Sequence, residues 1–314
     1  MGRRPEAGPR VRRWRAVALG GVLVIPLLTA ACSSTATPSG VVNAIGAENE
    51  YADVLSQVGG RYVHVSSILN DPNTDPHAFE SSPSIAREVS AAQLIVQNGV
   101  GYDDFMGKIE SASPNPGRRV VVVQRLLGLA DGTPDPHLWY DPKTMPRVAQ
   151  AMADDLAELA PSHAAYFRAN AQKFDDSLAP WLDAVASLRS RYGGTAVATT
   201  EPVADYLLEA MGLDNLTPSR FEADVMNGVD PSPEDVSVEN GLLSSHRAKV
   251  LLYNQQVVDA LTASIRKSAQ GAGIPVVGVY ETMPTPGYHY ESWMLAEVRA
   301  IESALAGGKS TERL

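Results

Sequence analysis

The chain has 314 residues, of which 44% are hydrophobic and 20% are charged, and this length suits two domains of ordinary size. The composition excludes a disordered chain and a collagen-like fibre, because these need fewer apolar residues or far more Gly and Pro. The formal net charge of −10 argues against nucleic acid as a partner, since an acidic surface repels the phosphate backbone.

The first 31 residues are typical of a signal peptide that ends at a lipidation site. An Arg-rich start precedes a short apolar run at 16–28, and small residues lead to Cys32, the only cysteine. The segment resembles the lipobox of bacterial lipoproteins, so we expect a lipid on Cys32 and a flexible linker over 32–40. The alternatives are a retained membrane anchor, for which the run is short, and ordinary secretory cleavage that leaves a free thiol. Cleavage removes six Arg and one Glu, so the net charge falls from −10 to −15.

The segment after the linker alternates β-rich and helical stretches. Short apolar runs bounded by turn residues are typical of buried parallel strands, and helical patterns separate them. The predicted strands are 41–46, 62–68, 94–97 and 120–123, and the predicted helices are 48–58 and 102–111. This order predicts a parallel sheet with flanking helices.

The second half of the chain has the same style. Its predicted strands are 195–199, 250–253 and 275–280, and its predicted helices are 202–211, 256–270 and 292–305. Gly212, Gly271 and Gly307 follow the last helical residues, where glycine commonly ends a helix. A second αβ unit is therefore expected here.

A long helical segment, 162–192, lies between the two halves. Its apolar residues alternate in steps of four and three, which places them along one helix face. Pro180 removes a backbone donor and crowds the preceding turn, so we expect a break near Ala179. A core helix inside one domain is the alternative, but a full αβ series on each side favours a connector. The predicted domains are thus 41–161, the connecting helix 162–192, and 193–314.

The tripeptide Asp-Pro-His occurs twice, at 75–77 and at 135–137, each time in a loop after a predicted strand. Loops at the carboxyl ends of parallel strands converge on the ligand crevice, so His77 and His137 could meet there. Neutral imidazole is a common ligand for transition metals, and its second ring nitrogen needs a partner. Asp75 and Asp135 are candidates for that partner, or else shape their own turns.

Two acids occupy comparable positions in the second half. Glu201 follows the strand at 195–199 and Glu281 follows the strand at 275–280. Taken alone, each has an ordinary explanation: Glu201 as an acid at a helix N-terminus and Glu281 as a solvated loop residue. The chain lacks a phosphate-binding Gly-rich loop, a Gly-x-Ser-x-Gly elbow, a His-Glu-x-x-His motif and a Cys-x-x-Cys pair, which favours a binding protein over an enzyme.

These stretches resemble the solute-binding proteins of ABC transporters for zinc and manganese. The resemblance rests on Asp-Pro-His-Ala-Phe-Glu at 75–80, His-Leu-Trp-Tyr-Asp-Pro at 137–142, Glu-Pro-Val-Ala-Asp-Tyr-Leu at 201–207, and 276–281 with Tyr290 and Trp293. It covers nearly all of the chain after the linker, about 41–305. It implies an α/β protein with two Rossmann-like αβ lobes joined by a long connecting helix.

The resemblance also implies one metal ion between the lobes, held by His77, His137, Glu201 and Glu281. The fourth position is usually Asp in this family, and Glu281 is one methylene longer. Carboxylate ligands favour manganese, whereas the Irving–Williams order predicts tight binding of zinc as well. Mn²⁺ or Zn²⁺ would thus be the transported ligand.

The implied function is capture of this ion outside the cytoplasm and its delivery to an ABC permease, without catalysis. We expect a monomer attached to the outer face of the cell membrane by its lipid. The alternatives are a secreted metal-dependent hydrolase, which needs an open coordination position, and a metal-stabilised surface adhesin.

Overall fold

The computed structural model describes residues 41–73, 79, 82–284 and 286–314. The predicted signal peptide, the linker with Cys32, and the candidate ligand His77 lie outside the described residues. In the part of the chain that the structure describes, no helix combines the length and apolarity that crossing a membrane requires.

The N-terminal αβ lobe is built around four strands. Its elements are β1 (Val42–Glu48), α1 (Asn49–Gly59), β2 (Val63–Leu69), α2 (Pro83–Ala91), β3 (Leu94–Gln97), α3 (Asp104–Ala112), β4 (Arg119–Val122), α4 (Val123–Leu127) and α5 (Thr144–Leu159). The four strands predicted for this half are confirmed, β3 with the predicted bounds. Two features set the sharp turns: Gly60 has φ +52 after α1, and Ser82 caps the first turn of α2.

The C-terminal αβ lobe repeats this construction. Its elements are β5 (Ala196–Thr199), α8 (Asp205–Met211), β6 (Asp214–Asn215), α9 (Ser219–Met226), α10 (Pro233–Ser244), β7 (Leu251–Asn254), α11 (Ala260–Gly271), β8 (Val276–Val279) and α12 (Tyr290–Gly307). The predicted helix 256–270 begins later than expected, because Asp259 forms a capping box with Thr262 and starts α11 at Ala260. The predicted helix 202–211 begins as one 3-10 turn, Pro202–Ala204, before α8.

Both sheets are parallel and have the same strand order. The first sheet runs β2-β1-β3-β4 and the second runs β6-β5-β7-β8. In the first, Ala44 lies between Val65 and Leu94, and in the second, Leu251 lies between Ala198 and Val276. The order reverses between β1 and β3, and between β5 and β7. Ligands of open parallel sheets bind outside the carboxyl ends of the strands at such points.

The connector consists of two consecutive helices, α6 (Ala164–Ser177) and α7 (Ala179–Tyr192), with Leu178 between them. The break predicted near Ala179 is therefore confirmed, and Pro180 occupies the first turn of α7, where its missing N–H costs nothing. Helix α6 packs on α1 and α5, and α7 packs on α8 and α12. The change from contacts with the first set of helices to contacts with the second thus falls at Leu178. The exact lobe boundaries stay a prediction.

One apolar core runs through both lobes. It includes Trp139 of the N-terminal lobe, Phe167 and Trp181 of the connector, and Tyr290 and Trp293 of α12, all fully buried. Because burial of each large aromatic contributes several kcal/mol, this shared core holds the lobes against each other.

Candidate metal centre

His137 and Glu281 face each other from opposite lobes. His137 directly precedes one 3-10 turn, Leu138–Tyr140, and Glu281 lies just past the carboxyl end of β8. Both side chains are fully buried, and Nε2 of His137 lies 3.6 Å from Oε2 of Glu281. This separation exceeds a normal hydrogen bond, and Nε2 has no hydrogen-bond partner among the described residues.

Asp135 orients the imidazole. Its Oδ1 lies 2.7 Å from Nδ1 of His137 and also accepts the backbone N–H of His137 at 2.9 Å. Because a carboxylate only accepts, Nδ1 carries the hydrogen and Nε2 points toward Glu281. The backbone of this loop is held as well, since Tyr206 donates to the carbonyl of Asp135 and Asn98 to that of Pro136. A carboxylate on the far nitrogen is the usual support of a metal-binding histidine.

The two carboxylates around His137 hold a proton on it. Burial alone would lower the pKa of His137, but the hydrogen bond to Asp135 and the negative charges of Asp135 and Glu281 outweigh burial and raise that pKa to about 10. At neutral pH the ring is therefore an imidazolium.

Glu201 and Glu281 are joined by a residue that the sequence reasoning missed. Both acids are buried, and Nδ2 of Asn254 donates to Oε1 of Glu281 at 2.6 Å and to Oε1 of Glu201 at 3.2 Å. Tyr102 donates to Oε2 of Glu281 at 3.1 Å. Gln256 accepts the backbone N–H groups of residues 281 and 282 through its Oε1. The position of Asn254 at the carboxyl end of β7 was the available signal.

A second group of acids, also missed, lies behind this site at the ends of β1 and β3. Glu48, Glu50 and Asp103 are buried. Burial raises the pKa of Asp103 to about 6, even though its carboxylate accepts the backbone N–H groups of Asn98 and Gly99. Burial also raises the pKa of Glu50, and the charge of Glu281 raises it further. Burial thus favours the neutral forms of these acids next to His137.

The described residues hold only part of the predicted ligand set. The structure brings His137, Glu201 and Glu281 into one buried network, whereas His77 lies outside the described residues. Within the described ranges, no three His, Cys, Asp or Glu side chains already stand at metal-holding distances. His289 lies elsewhere: it is 68% exposed and its Nδ1 lies 2.7 Å from Oδ1 of Asp53.

Comparison with known proteins gives consistent matches. Residues 47–304 match the sequence family ZnuA, described as the periplasmic component A of a zinc-uptake complex. A manganese-binding lipoprotein, MntA of Halalkalibacterium halodurans, is 27% identical over 206 residues, which cover 62% of this chain and 67% of that protein. The metal ABC transporter substrate-binding lipoprotein SloC of Streptococcus mutans is 22% identical over 260 residues, covering 78% and 82%. The solved structure of FpvC from Pseudomonas aeruginosa in complex with Mn²⁺ superposes with a TM-score of 0.70 at 20% identity, covering 85% of this chain and 99% of that one.

Proposed function

We propose a function from the premise that the chain belongs to the ZnuA family of periplasmic zinc-uptake components, which it matches over residues 47–304. The protein captures a divalent transition-metal ion between its lobes and delivers it to an ABC permease. The observation that carries this proposal is the buried pair of His137 and Glu281, one from each lobe, with Nε2 and Oε2 3.6 Å apart. The family favours this function over a secreted hydrolase or an adhesin, and the process requires no bond to be made or broken.

The proposed ligands are His77, His137, Glu201 and Glu281. Two imidazoles with two carboxylates suit both Zn²⁺ and Mn²⁺, the first through nitrogen and the second through oxygen. The described geometry supports three of the four through the network around Asn254. His77 completes the set by its matched Asp-Pro-His tripeptide.

The proposed location is the outer face of the cell membrane. A signal peptide over 1–31 and a lipid on Cys32 would tether the protein there, next to its permease. A single acyl anchor and the 32–40 linker leave the lobes outside the bilayer. We propose that the protein acts as a monomer.

Elemental analysis of the purified protein tests the function. After incubation with manganese and zinc salts, we expect about one metal ion per chain, and none in a His77→Ala/His137→Ala double variant. The matched control is His64→Ala/His163→Ala, which removes two histidines outside the site and should bind like the wild type. Absence of metal from all three proteins would contradict the proposal.

A further inference from the structure

Asn254 has a defined orientation between the two acids of the C-terminal lobe. It is fully buried at the carboxyl end of β7, where the strand order of its sheet reverses. The backbone N–H of Gln256 contacts one side-chain atom of Asn254 at 2.9 Å. Since a backbone N–H only donates, that atom is Oδ1, and Nδ2 must face Glu201 and Glu281. The backbone N–H of Asn254 donates to Oγ1 of Thr200 at 3.1 Å, which fixes its main chain as well.

This amide holds two acids side by side without neutralising them. No Lys or Arg is among the buried side chains of the described residues, so the amide donor takes the place that a cation would otherwise fill. A neutral donor adds no positive charge that an incoming metal ion would have to displace. A buried Lys or Arg here would instead compete with that ion.

The two hydrogen bonds also select which oxygen atoms are engaged. Nδ2 lies 2.6 Å from Oε1 of Glu281 and 3.2 Å from Oε1 of Glu201, and Oε2 of Glu281 is the atom turned toward His137. Tyr102 also donates to Oε2 of Glu281, but at 3.1 Å, so the shorter bond from Asn254 leaves Oε2 the oxygen more available to a metal. Denticity in turn sets the coordination number, which is four at zinc sites and higher for oxygen-rich manganese sites.

We propose that Asn254 is a positioning residue that keeps Glu201 and Glu281 monodentate and thereby favours Zn²⁺ over Mn²⁺. This inference rests on the proposed function, because it concerns the same metal site. Without the amide, both carboxylates turn to offer two oxygens each. The site then accepts a larger number of oxygen ligands, as manganese prefers.

Metal competition with chromophoric chelators tests this inference on Asn254→Leu, which keeps the size and removes both donors. The matched control is Asn115→Leu, because Nδ2 of Asn115 donates to the carbonyl of Ala92 in the N-terminal lobe. Loss of an outer-shell hydrogen bond typically weakens metal binding about 10- to 100-fold, and we expect this for zinc. Manganese affinity should fall less, so the zinc-to-manganese affinity ratio drops about tenfold. The control should keep the wild-type ratio.

The spectrum of bound Co²⁺ separates this role from a merely structural one. The wild type should give the intense visible absorption of tetrahedral cobalt, and Asn254→Leu the weaker absorption of a higher coordination number. If Asn254→Leu does not fold, Asn254→Thr replaces it, since the hydroxyl can still serve one carboxylate and should give an intermediate ratio. Wild-type protein that binds no metal contradicts the proposed function. Wild-type binding with an unchanged ratio and unchanged cobalt spectrum in both Asn254 variants overturns this inference alone, as does an equal loss for both metals.

Discussion

The proton on His137 should make metal affinity depend steeply on pH. Because the pKa of His137 is raised to about 10, every metal ion that binds at neutral pH must displace a proton. Between about pH 6 and about pH 8.5, apparent affinity should rise tenfold per unit, or about 300-fold and about 3.4 kcal/mol in total. A histidine at its ordinary pKa of 6.5 would give only about a fourfold rise over the same range.

The assay is competition with a chelator whose own pH dependence is known, on wild type, Asp135→Asn and Asp154→Asn. Asp135→Asn removes the carboxylate 2.7 Å from Nδ1 of His137, so the pKa of His137 falls and the pH profile flattens. Asp154 lies on the exposed face of α5, and its variant should follow the wild type. A rise below about tenfold in the wild type would refute the reasoning, because His137 would then already be neutral.

Three further outcomes follow from other parts of the molecule. Burial raises the pKa of Glu297 from 4.5 to about 8, so the folded protein loses stability as the pH rises from 4.5 to 8. In denaturant unfolding of the metal-free protein, Glu297→Gln should therefore be more stable than the wild type by about 3 kcal/mol at pH 7 and equally stable at pH 4.5. Asp53→Asn weakens the contact between α1 and His289 at the start of α12. Because His289 is largely exposed, the rate of metal release measured by stopped flow should rise only about two- to fivefold. An unchanged rate would show that this contact does not hold the lobes together. A Cβ on Gly46 would collide with the backbone of Ala52, so Gly46→Ala should lower stability by about 1–3 kcal/mol, whereas Gly107→Ala, in open space on α3, should not lower it.

Local patterns in the sequence predicted the strands and the break in the connector well. Residues 94–96 are apolar and lie between Gln93 and Gln97, a pattern that predicts a strand because a strand buried on both faces leaves no room for polar side chains. Pro180 predicted the change from α6 to α7 because its missing donor acts on the nearest turn alone. Helix α5 was missed although its apolar face is regular, since its start, Lys143, lacks a capping side chain that would mark it.

The supports of the candidate site could not be predicted in the same way. Asn254 contacts acids 53 and 27 positions away, and Tyr102 contacts Glu281 across 179 positions. The strand end at Asn254 marks a position near the site, but no local pattern reveals these contacts. Glu48 and Glu50 were assigned to the beginning of an ordinary helix, where acids are common. Only the parallel pairing of β1 with β2 and β3 places these acids close to His137.

The division of the proposed ligands between the lobes has a consequence for release. Each lobe alone offers half of a chelating set, and the other half is present at a high effective concentration only while the shared core around Trp181 and Tyr290 keeps the lobes together. The affinity for the metal ion then depends more steeply on the distance between the ligands of the two lobes than on the strength of any single bond to the ion. If the lobes moved apart about Leu178 by little more than the 3.6 Å between Nε2 of His137 and Oε2 of Glu281, the site with four ligands would become two weak sites with two ligands each. A permease therefore needs to separate the halves only slightly, rather than strip the ion from its ligands one by one.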